Sequence, residues 1–298
     1  MKKIFIYLAA ALLFIGSIGI GRNLLAQQIA QGGWQKLEGE HFVVYFKTTE
    51  EKVKGILKDA EVYYANIANE IGYPRYSEFW LWDKRVKIYI YPDHRSFLAS
   101  SNQPNWSHGM ANYTEKFIAG YESDQEFLDS ILPHEIAHLI FRDFIGFKGE
   151  IRLWLDEGVA QWAEERTREN MKETVRIMYA TNRLLKMKDM MKMNLGDIAE
   201  NRLYIKDTID RNSDLAILVV DGNSMVKTYY IQSFSMIGFL IEKYGSTRFA
   251  EFCRQLRDAR SIEDSLRLAY PFYIRDLDEL EKKWREYLEE DFKKHGGE

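Results

Sequence analysis

A chain of 298 residues that is 46% hydrophobic and 14% aromatic carries enough apolar material for a sizeable core, which excludes a disordered or low-complexity protein. Its 41 basic residues are spread among 45 acidic ones with no basic tract, for a formal charge of −4, and that excludes nucleic acid as a partner. Cys253 is the only cysteine, so no intrachain disulfide staples the fold.

Lys2 and Lys3 precede an uncharged run from Ile4 to Ile20, followed by Gly21, Arg22 and Leu24-Leu25-Ala26. This reads as a signal peptide with a cut after Ala26. Leu24 is large for the position three before cleavage, and the run of 17 residues reaches the lower limit for a membrane span, so an uncleaved amino-terminal anchor is the other reading. Both readings put the rest of the chain outside the cytoplasm: secreted, periplasmic or held on the outer face of the membrane. No cysteine stands at the end of the run, which excludes a lipoprotein anchor. Removing residues 1–26, with Lys2, Lys3 and Arg22 and no acid, takes the charge from −4 to −7.

Residues 27–298 then read as one domain, β-rich over about 40–122 and helical over about 123–298. His41–Lys47 is a predicted strand. Glu50–Ile71 repeats apolar residues at the helical period and is closed by Gly72 and Pro74. Val86–Tyr91, ended by Pro92, and Phe117–Tyr121 are the next strands. A helix follows, with Asp124 to Glu126 as its acidic start, an apolar surface from Ser130, Ile131, Leu132, Ile136, Leu139, Ile140 and Phe144, and Gly146 as its stop.

That helix carries His134-Glu135-Ile136-Ala137-His138. Each helical residue advances about 100° and 1.5 Å, so side chains four apart lie nearly over one another and two imidazoles can close on one metal ion. Glu135 stands off that line, placed to take a proton from water at the metal. A catalytic zinc takes three protein ligands and leaves a place for water, so a third ligand must come from elsewhere. Glu157, in Trp154-Leu155-Asp156-Glu157-Gly158-Val159-Ala160-Gln161-Trp162, lies 19 residues beyond His138 (157 − 138), room to end one helix, turn through Gly146 to Gly149 and start a second running back.

Leu153–Glu169 is predicted as that second helix, and Glu173–Met193 continues in helical text. Met171, Met178, Met187, Met190, Met191 and Met193 are core fill or the lining of an apolar substrate groove. In residues 201–226, Ile217–Val220 followed by Asp221-Gly222-Asn223 reads as a short hairpin or an edge loop. Leu277, Leu280, Trp284, Leu288 and Phe292 mark a closing amphipathic helix docked on the core.

The two motifs together resemble the gluzincins, zinc peptidases in which HExxH is followed by a glutamate ligand on the next helix. The spacing is similar to that of the aminopeptidase N and leukotriene hydrolase branch, whose W-x-N-E-G-x-A segment Trp154–Ala160 resembles with Asp156 in place of asparagine. Glu40-His41-Phe42-Val43-Val44-Tyr45 is similar to the opening strand of peptidase MA-like domains. The resemblance implies an α+β, zincin-like fold: a small mixed-sheet lobe, then a mainly helical lobe, with the metal site in the cleft. It implies one Zn2+ per chain on His134, His138 and Glu157, Glu135 as catalytic base, and a peptide or protein substrate. It further implies that Tyr230, 73 residues after Glu157 (230 − 157), donates to the oxyanion; Tyr229 is the fallback, facing another way on a helix, and His108 the next candidate.

The chain also departs from that pattern. The branch's Gly-x-Met-Glu-Asn strand, whose glutamate grips a free amine, reads Gly109-Met110-Ala111-Asn112 here, which favours an endopeptidase over an aminopeptidase unless another carboxylate such as Glu122 anchors the amine. Gln161 stands where thermolysin-type enzymes carry an aspartate that supports a histidine ligand. The alternative function is a peptide-binding or envelope-assembly module that keeps zinc without useful turnover.

Overall fold

The structure, a computed structural model, describes residues 33–73, 80–101, 103, 107–122, 125–146, 151–198, 201–211 and 214–295. The leader, Pro74 and the Gly149 turn lie outside them. The chain divides into two compact units, Met1–Phe144 with Ala163–Thr167, and Ile145–Trp162 with Arg168–Glu298.

In the first unit five strands form one mixed sheet in the order β1-β2-β3-β5-β4: β1 Gln35–Glu38, β2 Phe42–Phe46, β3 Val86–Tyr91, β4 Gly109–Asn112 and β5 Phe117–Tyr121. β3 lies in the middle, parallel to β2 and β5, and is buried at every residue but Lys87, which is why VKIYIY is so continuously apolar. The crossover from β2 to β3 carries helix α1, Glu50–Glu70, which buries Val53, Ile56, Ala60, Tyr63, Tyr64, Ile67 and Ala68 at three- and four-residue steps. α1 ends as predicted: Gly72 adopts φ 85°, and the Tyr73 N–H reaches back to the Ala68 carbonyl at 2.7 Å, satisfying an orphan acceptor of the last turn. Helix α2, His94–Ser101, follows β3. β4 and β5 form a hairpin whose turn, Tyr113–Lys116, leaves β4 on the sheet's edge.

The motif helix does not start as a plain α-helix. Residues Phe127–Ile131 form a π turn, and helix α3 runs from Leu132 to Ile145. Pro133 is the physical reason. It has no N–H to give to the carbonyl of Asp129 and its ring crowds that carbonyl, so the turn before it widens, with the Leu132 N–H bonded to the Phe127 carbonyl. Gly146, at φ 72°, stops α3 as predicted.

The second unit is mainly helical. Helix α4 spans Leu153–Ala163, shorter than the predicted Leu153–Glu169, because Glu164 leaves the helix and turns its carboxylate to other partners. α5 is Arg168–Ala180; Asn182 at φ 52° then breaks the predicted Glu173–Met193 run, and α6 is the single turn Met187–Met190. Met171, Met178, Met187 and Met190 are buried and so fill core. β6 Leu203–Arg211 and β7 Asp214–Asp221 form an antiparallel hairpin longer than predicted. Asp221-Gly222-Asn223 is not its turn: Asp221 caps helix α7, Gly222–Tyr244, accepting from the Ser224 N–H at 3.0 Å. α8 Ser246–Arg257, α9 Ile262–Ala269 and α10 Leu277–Lys294 complete the unit, with Leu280, Trp284 and Leu288 of the predicted stripe buried. Among the described residues no helix is long and apolar enough to cross a membrane. Small sheet first and helices after make this the α+β architecture predicted.

α4 and α7 approach so closely that only glycine fits at two points. A Cβ on Gly158 would stand 2.6 Å from Ile237 and 2.7 Å from the Ser233 carbonyl, and one on Gly238 would stand 2.4 Å from the Trp162 ring. The Gly158→Ala variant is therefore expected to lose about 1–3 kcal/mol of stability, the usual range for overpacking a rigid contact, measured by denaturant unfolding. Unchanged stability would show that the two helices separate without cost.

Candidate metal centre

His134 and His138 occupy successive turns of α3, both 1% exposed. Their Nε2 atoms stand 3.2 Å apart. Two nitrogens bound to one tetrahedral ion at about 2.0–2.1 Å stand roughly 3.3–3.4 Å apart, so the pair already has the separation that a shared ion requires. Glu157 on α4, also 1% exposed, completes a group of three: one ligand atom from each of His134, His138 and Glu157 lies within 4.8 Å of the others. Two imidazoles and a carboxylate, all buried, form a donor set that fits a metal ion.

The partner that orients His134 is Glu164, which the sequence reading missed. Its Oε1 accepts from His134 Nδ1 at 2.9 Å, and an ionised carboxylate can only accept, so the proton lies on Nδ1 and the Nε2 lone pair is left for a metal. Ser130 Oγ donates to Oε2 of the same carboxylate, and Thr167 Oγ1 donates to it at 3.2 Å. Burial by itself pushes the His134 imidazole down, but the bond and charge of Glu164 with the charge of Glu135 outweigh burial and the neighbouring His138, and the net direction is up. Residues after Glu164 hold the same surface: Asn66 of α1 donates to Glu165 at 3.0 Å, and Arg166 pairs with Asp129 of the π turn. At His134 Nδ1, then, the acceptor is Glu164, seven residues past Glu157, rather than Gln161. A signal was present, since seven residues are two helical turns and put Glu164 on the Glu157 face of the predicted helix.

Glu135 is 4% exposed and its Oε2 accepts the Tyr113 phenol at 3.0 Å. Tyr229 and Tyr230 lie side by side on α7, their rings 6.2 Å apart and nearly perpendicular. Burial first, then the Glu157 charge, raises both phenols far above the ordinary range, so both stay protonated donors at neutral pH. The Glu157 charge acts on both phenols, and Tyr229 alone also has a hydrogen bond with the Trp154 backbone. His108, just before β4, meets the Tyr121 hydroxyl through Nδ1 at 2.9 Å, and Glu122 is ion-paired with Lys52. Gly109-Met110-Ala111-Asn112 forms the edge strand β4.

Removing the Glu164 carboxylate leaves His134 and Ser130 without the acceptor both use in a buried site. Glu164→Ala should cost about 1–3 kcal/mol in metal-free unfolding experiments. Glu164→Gln should recover part of it, because the amide oxygen still accepts one of these bonds. Equal stability of both variants and the unaltered chain would show that the carboxylate is not the buried anchor.

Compared with known protein families, residues 81–290 match the Peptidase MA superfamily, 210 of 298 positions (290 − 81 + 1). No curated protein matches the chain. The match spans more than two thirds of the sequence and includes the buried His134, His138 and Glu157, and the chain belongs to the peptidase MA superfamily of metallopeptidase-like domains.

Proposed function

We propose that this chain is a zinc-dependent endopeptidase acting outside the cytoplasm. The observation that carries the reading is the 3.2 Å separation of the His134 and His138 Nε2 atoms, with Glu157 in the same buried donor group. Two nitrogens and one oxygen suit zinc, which in catalytic sites takes three such ligands and keeps a fourth position open. Bound there, zinc supplies a Lewis acid that polarises the scissile carbonyl and acidifies water toward a pKa of about 7.

The chain's own residues do the rest. His134, held by Glu164, and His138 present their Nε2 lone pairs, and Glu157 adds one negative charge to the donor set. Glu135 takes the proton from the attacking water and delivers it to the leaving amine. Tyr230, kept protonated by burial and by the Glu157 charge, donates to the oxyanion. Ala111 in β4 offers no carboxylate for a free amino terminus and Glu122 is engaged with Lys52, which supports cleavage within a chain over removal of its first residue. The apolar run from Ile4 to Ile20 supports export.

Elemental analysis of the chain from residue 27 onward should give about one zinc, lost in His138→Ala and in Glu157→Ala. Glu135→Gln should keep the metal and lose turnover on an unbiased peptide library, in which peptides with blocked amino termini are cleaved at least as well as free ones. Zinc retained in both ligand variants would overturn the site. Zinc and tight peptide capture without cleavage by the unaltered chain would make it a binding module.

Tyr230→Phe should lower kcat about a hundredfold at unchanged zinc content, the usual consequence of losing one oxyanion donor, while Tyr229→Phe should not. The reverse pattern would transfer the role to Tyr229, whose phenol the Glu157 charge also raises.

A further inference from the structure

We propose that Tyr113 is a positioning residue for Glu135: its phenol holds one carboxylate oxygen so that the other is presented as proton acceptor. This rests on the reading of Glu135 as the base. The Tyr113 hydroxyl donates to Glu135 Oε2 at 3.0 Å, and the Tyr113 ring stands edge-on to His138 with centroids 5.7 Å apart. The Arg142 guanidinium lies 4.5 Å over the same ring. Glu135, His138 and Arg142 are spaced by three and then four residues, one stripe of α3, so the tyrosine lies along the stripe that carries the base and a ligand.

The ring and its turn are held independently of Glu135. Tyr113 opens the β4–β5 turn, whose strands fix it from one side. Within the turn Asn112 Oδ1 accepts from the Glu115 N–H at 2.9 Å, and Lys116, at φ 51°, reaches Asp143 of α3 at 2.5 Å. Trp80 Nε1 donates to the same Asp143 oxygen at 2.8 Å. A glutamate side chain has three rotatable bonds, and a base must stand within about 2.6–3.2 Å of the proton it takes. A phenol anchored on both the sheet and the helix supplies that constraint. A covering latch would need a path away from the helix, whereas this ring is clamped by Arg142 and its turn is pinned through Lys116.

The test is Tyr113→Phe in the zinc-loaded chain, compared with the unaltered chain and Glu135→Gln. Phenylalanine keeps the ring against His138 and Arg142, so a role in packing alone predicts no change. Positioning predicts unchanged zinc content, KM within about twofold and kcat lowered about tenfold. Affinity for acetohydroxamate, whose proton is shared with the base when it sits on the metal, should fall several-fold in parallel. This second readout decides the matter if no substrate is cleaved. Unaltered kcat or unaltered hydroxamate affinity overturns the inference, and so does a rise in kcat, the mark of an inhibitory latch. Failure of the proposed function looks different: no zinc in the unaltered chain, or full turnover in Glu135→Gln, removes this inference together with the reading beneath it.

Discussion

The contact between Glu164 and His134 is the constraint on which the site depends. A buried carboxylate and a buried imidazole are each costly alone, and each removes the other's cost when the ring N–H meets the carboxylate oxygen at 2.9 Å. The same bond fixes the tautomer, and the tautomer decides whether Nε2 offers a lone pair or a proton. Ser130 and Thr167 secure the carboxylate from its other oxygen, so the orientation of the first histidine is set by three residues, Glu164, Ser130 and Thr167, all outside the HExxH motif. Glu164 is the first residue past α4, which ends at Ala163.

Close helix packing does comparable work in the second unit. Glycine at 158 lets α4 lie against the backbone of α7 at Ser233, and glycine at 238 receives the Trp162 ring. Gly158 directly follows Glu157, and Gly238 lies on the same helix as the tyrosine pair. The contact brings two phenols into the field of the Glu157 carboxylate while burial keeps their protons on. Electrostatic donors of this kind are useful because they are already oriented before charge develops.

The β4–β5 hairpin links sheet and motif helix within the first unit. Its turn reaches α3 at Glu135, His138, Arg142 and Asp143 through Tyr113 and Lys116. The π turn before α3 belongs to the same arrangement, since Gly120 of β5 has no room for a side chain beside Phe127, the first residue of that turn. A Cβ there would stand 2.2 Å from the Phe127 ring, so the strand can run beside the start of the motif helix only as glycine.

Local pattern alone determined a good deal of this protein. Period-two and period-3.6 apolar spacing located Val86–Tyr91, Phe117–Tyr121, α1 and α10 to within a residue or two, because each buries one face and repeats with the geometry of its own backbone. The i, i+4 spacing of His134 and His138 was legible for the same reason: it is a property of one helix. Boundaries set by side-chain partners were not legible. α4 stops at Ala163 because Glu164 finds His134, 30 residues back, and Asp221 caps a helix instead of opening a turn because Ser224 lies three residues on. Which of Tyr229 and Tyr230 feels the Glu157 charge depended on how α7 packs, and both do. Tyr113 had no sequence signal at all, since nothing in Asn112-Tyr113-Thr114 marks a hydroxyl that will meet a carboxylate 22 residues away. Sequence fixes what one element presents along its own axis, and only tertiary structure decides which side chains from distant elements meet, because burial forces each polar group to find a partner wherever packing leaves one.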